Sequence, residues 1–213
     1  LISLFLYCPA VFAAPFVDTV DTKYDNAIEV VNRLEIMNGY EDGTFRPELS
    51  VSRAEFAVIL YRIVTQRGEF PTEYKEFSDV SEEHWAYRQI NTVAALGLMG
   101  TSQDTFLPER EMTGSEVVFS FINLLGREKI AELSGGYPSG YQKAASSAGL
   151  LKGISASGAS RGEIAQMIYN ALDIPVLQET GFGQASTLQE DRDRTLLYEY
   201  FHLVKVKGRL TAN

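Results

Sequence analysis

The chain contains 213 residues, of which 45% are hydrophobic and 22% are charged, a composition typical of globular proteins rather than of disordered or fibrous ones. Its formal net charge is −9, and its lysines and arginines form no cluster, which excludes nucleic acid as a partner because a phosphate backbone is bound by grouped cations. The two histidines, His84 and His202, do not stand in a metal-ligand spacing, and the sequence contains neither a Gly-x-Ser-x-Gly motif nor a phosphate-cradling loop. We therefore expect a protein that is not an enzyme and that uses neither a cofactor nor a metal.

The N-terminal segment, 1–13, is predicted to be the remnant of a secretory signal peptide. Positions 1–11 are apolar, and Val11 and Ala13 offer a cleavage site with small residues near the cut. The segment is too short to span a bilayer, which takes about 20 apolar residues. We expect an exported chain that starts inside its signal and does not insert into the membrane after cleavage. Cys8, the only cysteine, lies in this segment, so the mature protein is expected to have no disulfide and no thiolate site.

Three copies of one repeat are predicted to follow the signal segment. The Phe-x-Asp of residues 16–18 recurs at 77–79, and the Thr-Phe-x-Pro of residues 44–47 recurs at 105–108, so both motifs return at the same offset along the chain. A third copy, recognised at residues 148–153, is shorter and lacks both motifs. Self-similarity at a fixed period indicates a repeat architecture.

Each copy is predicted to fold as helix, loop, helix. In the first copy, apolar residues recur at helical spacing at Ala27, Ile28, Val31 and Leu34. Asn38 and Gly39 end this helix, since both residue types accept the left-handed conformation at a helix C-terminus. Pro47 keeps the following loop from becoming helical, and the second helix is predicted to begin at Ser52. The sequence therefore predicts a mainly α fold.

A Ser/Thr-x-x-Glu tetrad opens the second helix of each copy. Such a tetrad forms a capping box, in which the hydroxyl accepts from the N–H of the glutamate and the carboxylate accepts from the N–H of the hydroxyl residue. The helix-capping residues predicted in this way are Ser52, Glu55, Thr113, Glu116, Ser160 and Glu163. These residues need only a structural explanation.

The residue after the cap differs between copies: it is Arg53 in the first, Gly114 in the second and Arg161 in the third. A cation at the first helical position is unfavourable against the positive end of the helix dipole, so its presence needs a reason. One reason is an anion held jointly by the guanidinium, the dipole and free N–H groups of the helix. The other is a salt bridge to an acid of an adjacent repeat. The residues alone leave both explanations open.

The motifs of the first copy together resemble the S-layer homology (SLH) domain. They are Phe-Val-Asp at 16–18, Gly-Tyr-Glu-Asp-Gly-Thr-Phe-Arg-Pro at 39–47 and Ser-Arg-Ala-Glu at 52–55. The second copy matches less closely and the third weakly, and the resemblance extends over residues 16–174. It implies three helix-loop-helix repeats in a pseudo-threefold spindle, with grooves between the prongs and a short C-terminal segment that starts a β-containing region.

The resemblance also implies a function. SLH domains hold exported proteins to the bacterial envelope non-covalently, by binding secondary cell-wall polysaccharide that often carries pyruvate ketals. A secreted protein of the cell wall or S-layer is therefore expected. In the family the arginine after the cap meets the ketal carboxylate, which points to Arg53 and Arg161 as polysaccharide-binding residues. The groove built on Gly114 should be weak or silent.

Three further residues are candidates for polysaccharide binding. Trp85 stands where the family commonly has an aromatic residue, and it is interpreted either as a face for a sugar ring or as a core residue. Asp18 and Asp79 are expected either to orient ligand hydroxyls or to cap helices.

The C-terminal part of the chain carries weaker patterns. Gly181, Gly183 and their polar neighbours indicate a linker, residues 195–201 a short helix, and the alternation in 202–211 a strand. The predicted organisation is a signal remnant at 1–13, SLH repeats at 14–70, 71–127 and 128–175, a linker at 176–194 and the start of a further domain at 195–213. An S-layer or a fused downstream domain is the expected protein partner.

A second hypothesis belongs to a different functional class. The repeats would be a degenerate SLH scaffold for protein–protein packing, with any activity in a C-terminal domain that this sequence does not include. Gly114 in place of arginine and the divergent third copy support this hypothesis. Binding to cell-wall sacculi, or to a partner protein instead, would separate the two.

Overall fold

The structure is a computed structural model and describes residues 16–68, 70–71, 74–101, 104–155, 159–180 and 187–205. The expected signal remnant at 1–13, with Cys8, lies outside these residues. The strand expected over 202–211 lies mostly outside them as well, and residues 202–205 belong to no strand.

Helices account for most of the regular structure in the described ranges. They are α1 (Asp25–Arg33), α2 (Arg53–Val64), α3 (Tyr87–Ala95), α4 (Gly114–Leu124), α5 (Glu128–Leu133), α6 (Ser139–Ala148), α7 (Arg161–Ala171) and α8 (Leu196–Phe201). Two strands, β1 (Pro175–Thr180) and β2 (Thr187–Thr195), form an antiparallel hairpin. None of the helices in these ranges has the length and apolar character that crossing a bilayer requires. The expected mainly α fold is confirmed.

The helices pair between repeats in a closed ring. α2 of the first repeat packs against α3 of the second, α4 of the second packs against α6 of the third, and α7 of the third packs against α1 of the first. Each second helix therefore covers the first helix of the next repeat, and the third repeat returns to the first. This cyclic pairing gives the pseudo-threefold arrangement.

The apolar faces of the three second helices meet in one core. Phe56 of α2 and Phe121 of α4 are fully buried, and their rings meet edge to face with centroids 6.1 Å apart, an arrangement that aromatic pairs favour. Ile164 of α7 is also fully buried in this cluster. The broad apolar face of each second helix is the reason that these three helices occupy the centre.

Capping boxes start the second helices. In α2, the Ser52 hydroxyl accepts from the N–H of Glu55 at 3.2 Å, and the Glu55 carboxylate accepts from the N–H of Ser52 at 2.8 Å. α4 and α7 begin with the same two bonds within their own tetrads. The box satisfies N–H groups that a helix start leaves unpaired, so the tetrad sets where each helix begins.

The next N–H groups of α2 and α7 bind the neighbouring repeat. The N–H of Arg53 donates to the Arg110 carbonyl and the N–H of Ala54 to the Pro108 carbonyl, both at 2.9 Å. α7 makes the same two bonds, at 2.8 Å, to carbonyls of the first repeat. The idea that free N–H groups of the helix converge on an anion is therefore wrong, because carbonyls of the adjacent loop already occupy them.

The segment after the third repeat folds onto the same core. A linker was expected over 176–194, but the described residues of this range, 176–180 and 187–194, belong to β1 and β2, and the N–H of Leu177 donates to the Leu125 carbonyl at 2.9 Å. Gly181 and Gly183, which suggested the linker, lie outside the described residues. The short helix predicted over 195–201 is confirmed as α8. Three of its side chains, Leu196, Leu197 and Tyr200, are buried in the apolar cluster of the repeats.

Candidate functional site

Three grooves lie at related positions around the ring, and each is named by the residue after the helix cap. The Arg53 groove, of about 380 Å³, includes Arg53, Phe106, Leu107, Glu116, Phe119 and Tyr137. The Arg161 groove, of about 270 Å³, includes Asn38, Tyr40, Glu55, Arg62, Trp85 and Arg161. The Gly114 groove, of about 210 Å³, includes Gly114, Val118, Gln142, Leu151, Ile154 and Met167. The first two grooves each draw residues from all three repeats.

Arg53 is built into the junction between the first and second repeats. Its side chain is only 3% exposed. Its Nε donates to the Phe106 carbonyl at 2.6 Å and its Nη2 to the Gly100 carbonyl at 2.7 Å. The guanidinium also lies 4.5 Å from the centroid of the Phe106 ring. Burial lowers the pKa of this guanidinium, but an arginine stays charged in a protein, so the junction holds a buried cation.

Glu116 neutralises this cation. Its Oε1 accepts from Arg53 Nη1 at 3.1 Å and from Arg110 Nη2, and its Oε2 accepts from Arg110 Nη1 at 3.2 Å and from the Thr113 N–H at 3.0 Å. Burial acts to raise the pKa of Glu116, but the hydrogen bonds from Arg110 and Thr113 outweigh it and lower the pKa to about 2. Of the two explanations for the arginine, a salt bridge to an adjacent repeat applies to Arg53.

The titration of Glu116 should make the chain less stable in acid. A carboxylate with a lowered pKa contributes stability that is present above its unfolded pKa, here 4.5, and is lost as the pH falls through its folded pKa, here about 2. The Glu116→Gln variant keeps an amide that can cap the helix but does not titrate. We expect it to be less stable than the wild type by roughly 1–3 kcal/mol at about pH 6, with the difference closing by about pH 2.

Urea unfolding of both proteins across this pH range measures the difference. Asp42, whose pKa is also about 2, titrates in both proteins and cancels in the comparison. A difference that stays constant with pH would contradict the assigned role of Glu116.

Arg161 occupies the equivalent position between the third and first repeats. It is 9% exposed, and its Nε and Nη2 each donate at 2.8 Å, to the carbonyls of Phe45 and Asn38 respectively. The guanidinium lies 4.5 Å from the centroid of the Phe45 ring and 5.0 Å from that of Tyr40. Within the described part of the chain, no carboxylate forms a salt bridge with it. Burial lowers the pKa of Arg161, while Tyr40 and Glu55 oppose this effect.

Trp85 lies at the surface. Its side chain is 60% exposed, it stands two residues before α3, and it lines the Arg161 groove with Glu55 and Arg62. Its ring stacks on that of His84, with centroids 5.7 Å apart. The interpretation of Trp85 as a core residue is therefore wrong, because α3 turns its buried face away from this position.

Tyr137 is the counterpart of Trp85 in the Arg53 groove, and the sequence interpretation missed it. It is 51% exposed and precedes α6 by two residues, the same spacing that separates Trp85 from α3. Its ring packs edge to face on Phe119, with centroids 5.9 Å apart. An aromatic residue just before the first helix of a repeat was the signal, but the divergent third copy hid the start of that helix.

Asp18 and Asp79 hold the loops of their repeats. The carboxylate of Asp18 accepts from the N–H groups of Phe45 and Arg46, at 2.8 and 2.7 Å, and Asp79 does the same for the second repeat at the same distances. Arg46 has a positive φ of 58°, which is strained for a residue with a side chain, and the carboxylate stabilises this turn. Neither aspartate caps a helix, since α1 and α3 have no side-chain cap, so that expectation is wrong.

The Gly114 groove differs in chemistry from the other two. Of the described residues that line it, none is cationic, and most are apolar. Gly114 has no side chain to reach the loop of the third repeat. Among the described residues, no three His, Cys, Asp or Glu side chains are arranged to hold a metal ion.

Comparison with known proteins finds one domain family in two of the repeats. The model of the S-layer homology domain matches residues 15–57 and 76–118, which contain the cap tetrads of α2 and α4. The chain is 36% identical over 95 residues to a cellulosome-anchoring protein of Acetivibrio thermocellus, covering 43% of this chain and 21% of that protein. It is 25% identical over 202 residues to the middle cell wall protein of Brevibacillus brevis, covering 90% and 19%.

A third relative is a cell surface protein of Thermoanaerobacter kivui, 29% identical over 177 residues, which cover 78% of this chain and 23% of that protein. The chain thus spans less than a quarter of the length of each of these three relatives. Its repeats share the capped second helix and the ring of paired helices, and the family model matches the first two of them. Two repeats of this chain, at residues 15–57 and 76–118, therefore match the S-layer homology domain.

Proposed function

We propose that this chain holds an exported protein at the bacterial cell envelope by binding secondary cell-wall polysaccharide in the grooves between its repeats. The match of two repeats to the S-layer homology domain, and relatives named as cell wall and cell surface proteins, support a location at the envelope. The finer part of the proposal is that the ligand carries pyruvate ketals. This finer part rests on the chemistry of the grooves. The proposal as a whole gives the chain a binding role without catalysis.

One observation carries the proposal: Arg161 is a buried cation that faces a groove without a carboxylate partner among the described residues. Its Nε and Nη2 are bound to carbonyls, and its Nη1 has no partner in the described part of the chain. A ligand carboxylate at Nη1 would form a charge-assisted hydrogen bond in a partly desolvated site. Trp85 supplies an exposed aromatic face in the same groove, on which a sugar ring can pack.

The other candidate residues have defined places in this proposal. Arg53 gives a second groove its cation. Asp18 and Asp79 are positioning residues, because they fix the loops whose carbonyls, at Phe45 and Phe106, hold the two guanidinium groups. The Gly114 groove, with no cation among its described residues, is proposed to bind no anionic ligand.

The test is retention of the chain on purified cell-wall sacculi. The wild type should sediment with untreated sacculi and stay in solution after mild acid has removed the ketal groups. Trp85→Ala should weaken the binding about tenfold, a loss of about 1.4 kcal/mol. Tyr74→Ala, which removes an aromatic side chain of similar exposure outside the grooves, is the matched control and should bind like the wild type. Arg53→Ala combined with Arg161→Ala should abolish retention.

A second candidate function is a scaffold for protein–protein packing. Arg53 favours it, since all its hydrogen bonds go to the second repeat and so serve the junction itself. Equal retention on treated and untreated sacculi would exclude the ketal as ligand. Binding to a partner protein with no retention on sacculi would replace the anchoring proposal by the scaffold.

A further inference from the structure

The two arginine grooves are built alike but differ at one atom. In both, Nε and Nη2 of the arginine donate to two loop carbonyls of the next repeat in the ring. Nη1 of Arg53 then donates to Glu116 at 3.1 Å, whereas Nη1 of Arg161 meets no acceptor in the described part of the chain. Nη1, the atom that would bind a ligand carboxylate, is therefore already bonded in the Arg53 groove and available in the Arg161 groove.

The cause of this difference is a single position in the loop. Arg110 of the second repeat corresponds to Leu49 of the first, since each stands two positions after the proline of its Thr-Phe-x-Pro motif. Arg110 binds both oxygens of Glu116 and keeps this carboxylate at the Arg53 groove. Leu49, at the corresponding position of the first repeat, is exposed and carries no charge that could hold a carboxylate at Arg161. Glu55 accepts from the Ser52 N–H of its own capping box and forms no salt bridge with Arg161.

An anion entering the Arg53 groove must compete with an intramolecular carboxylate. Glu116 has no translational freedom to lose and is already bonded to Arg53, Arg110 and Thr113, whereas a ligand carboxylate must give up that freedom on binding. It must also leave Glu116 beside it or displace it, and like charges at close range are costly. Glu55 also lines the Arg161 groove, but it forms no salt bridge with Arg161, so a ligand carboxylate does not have to displace it from Nη1.

We propose that the Arg161 groove is the anion-binding groove of this chain and that the Arg53 groove is closed to anions, because Glu116 occupies the place of the ligand carboxylate. The proposal rests on the proposed function in taking the ligand to be a carboxylate-bearing polysaccharide. It adds that the chain binds one ketal group rather than two and that Glu116 is the residue that sets this number.

Calorimetric titration with short fragments of the ketal-bearing wall polysaccharide tests the proposal. The wild type should bind one fragment per chain. Arg161→Met should lower the affinity at least a hundredfold. Glu116→Gln keeps the helix cap, since glutamine also serves at this position, and frees Nη1 of Arg53 from a charged partner, so this variant should bind two fragments. Glu163→Gln makes the same change at the third capping box, whose glutamate lines neither arginine groove, and should bind one.

The outcomes separate this inference from the anchoring proposal. If the wild type binds no fragment, the anchoring proposal and the inference both fail. If the wild type binds two fragments, or Glu116→Gln still binds one, the anchoring proposal stands and the inference is overturned. Because Glu116→Gln is read as a gain of a site, its result does not depend on whether Arg161→Met folds.

Discussion

Replacement of Arg53 by methionine should lower the free energy of unfolding by about 3–5 kcal/mol, the usual cost of breaking a buried ion pair at one partner. Methionine fills much of the same space but donates no hydrogen bond. The carbonyls of Phe106 and Gly100 would lose their donors at 2.6 and 2.7 Å, and unsatisfied buried acceptors cost about 1–3 kcal/mol each. Glu116 would keep its ion pair with Arg110 but lose its ion pair with the buried guanidinium of Arg53.

Urea unfolding followed by circular dichroism gives the free energy, since a shift of the midpoint at constant slope reports stability. Arg46→Met is the matched control. Its guanidinium is exposed and pairs with Asp42 at 2.7 Å on the surface, and such exposed pairs contribute little to stability. A loss below about 1 kcal/mol for Arg53→Met would mean that water replaces the guanidinium and that Arg53 does not stabilise the junction.

Truncation of Leu196 to alanine should destabilise the whole repeat unit by about 2–5 kcal/mol, the range for large-to-small changes in a packed core. Leu196 is fully buried in the same apolar cluster as the second helices. Its N–H also donates to the Ile174 carbonyl at 3.0 Å. If α8 belongs to this core, Leu196→Ala must lower the free energy of unfolding of the repeats as well.

The fluorescence of Trp85 reports on the repeats, because it is the sole tryptophan and lies just before α3 in the second one. Leu196→Ala should lower the urea midpoint of this signal, whereas Leu203→Ala, at a side chain 49% exposed, should leave it unchanged. An unchanged midpoint for Leu196→Ala would show instead that α8 folds independently of the repeats.

The sequence predicted the elements whose cause is local. The tetrads at Ser52, Thr113 and Ser160 begin α2, α4 and α7 because a capping box needs only residues three apart. The constant offset between the motifs of the first two copies, together with the helical spacing of apolar residues, indicated repeated helix pairs. The grooves could not be predicted in this way, because each arginine groove takes its arginine, its loop and its aromatic residue from three different repeats. These residues come together only when the ring of helices closes.

Composition gave the wrong answer where burial depends on distant partners. The segment 176–194 was interpreted as a linker, but its described residues, 176–180 and 187–194, pair as β1 and β2. Trp85 was interpreted either as a core residue or as a face for a sugar ring, since a lone aromatic residue near apolar neighbours has no local feature that fixes its exposure. The helix-capping alternative for Asp18 was wrong because its true partner, the loop at Phe45 and Arg46, lies 27 and 28 residues away.

Sequence by itself determined that this protein has repeated capped helices and that arginine follows the cap in the first and third copies. It could not distinguish Arg53 from Arg161, because each stands between a serine cap and a helix in a similar tetrad. Only the tertiary structure decided that Glu116 reaches one guanidinium and no carboxylate of the described residues reaches the other. The physical reason is that a salt bridge depends on which charges the fold brings within about 4 Å of each other. Arg110 holds Glu116 at Arg53, and Leu49 holds no carboxylate at Arg161, only because each loop lies against the neighbouring repeat.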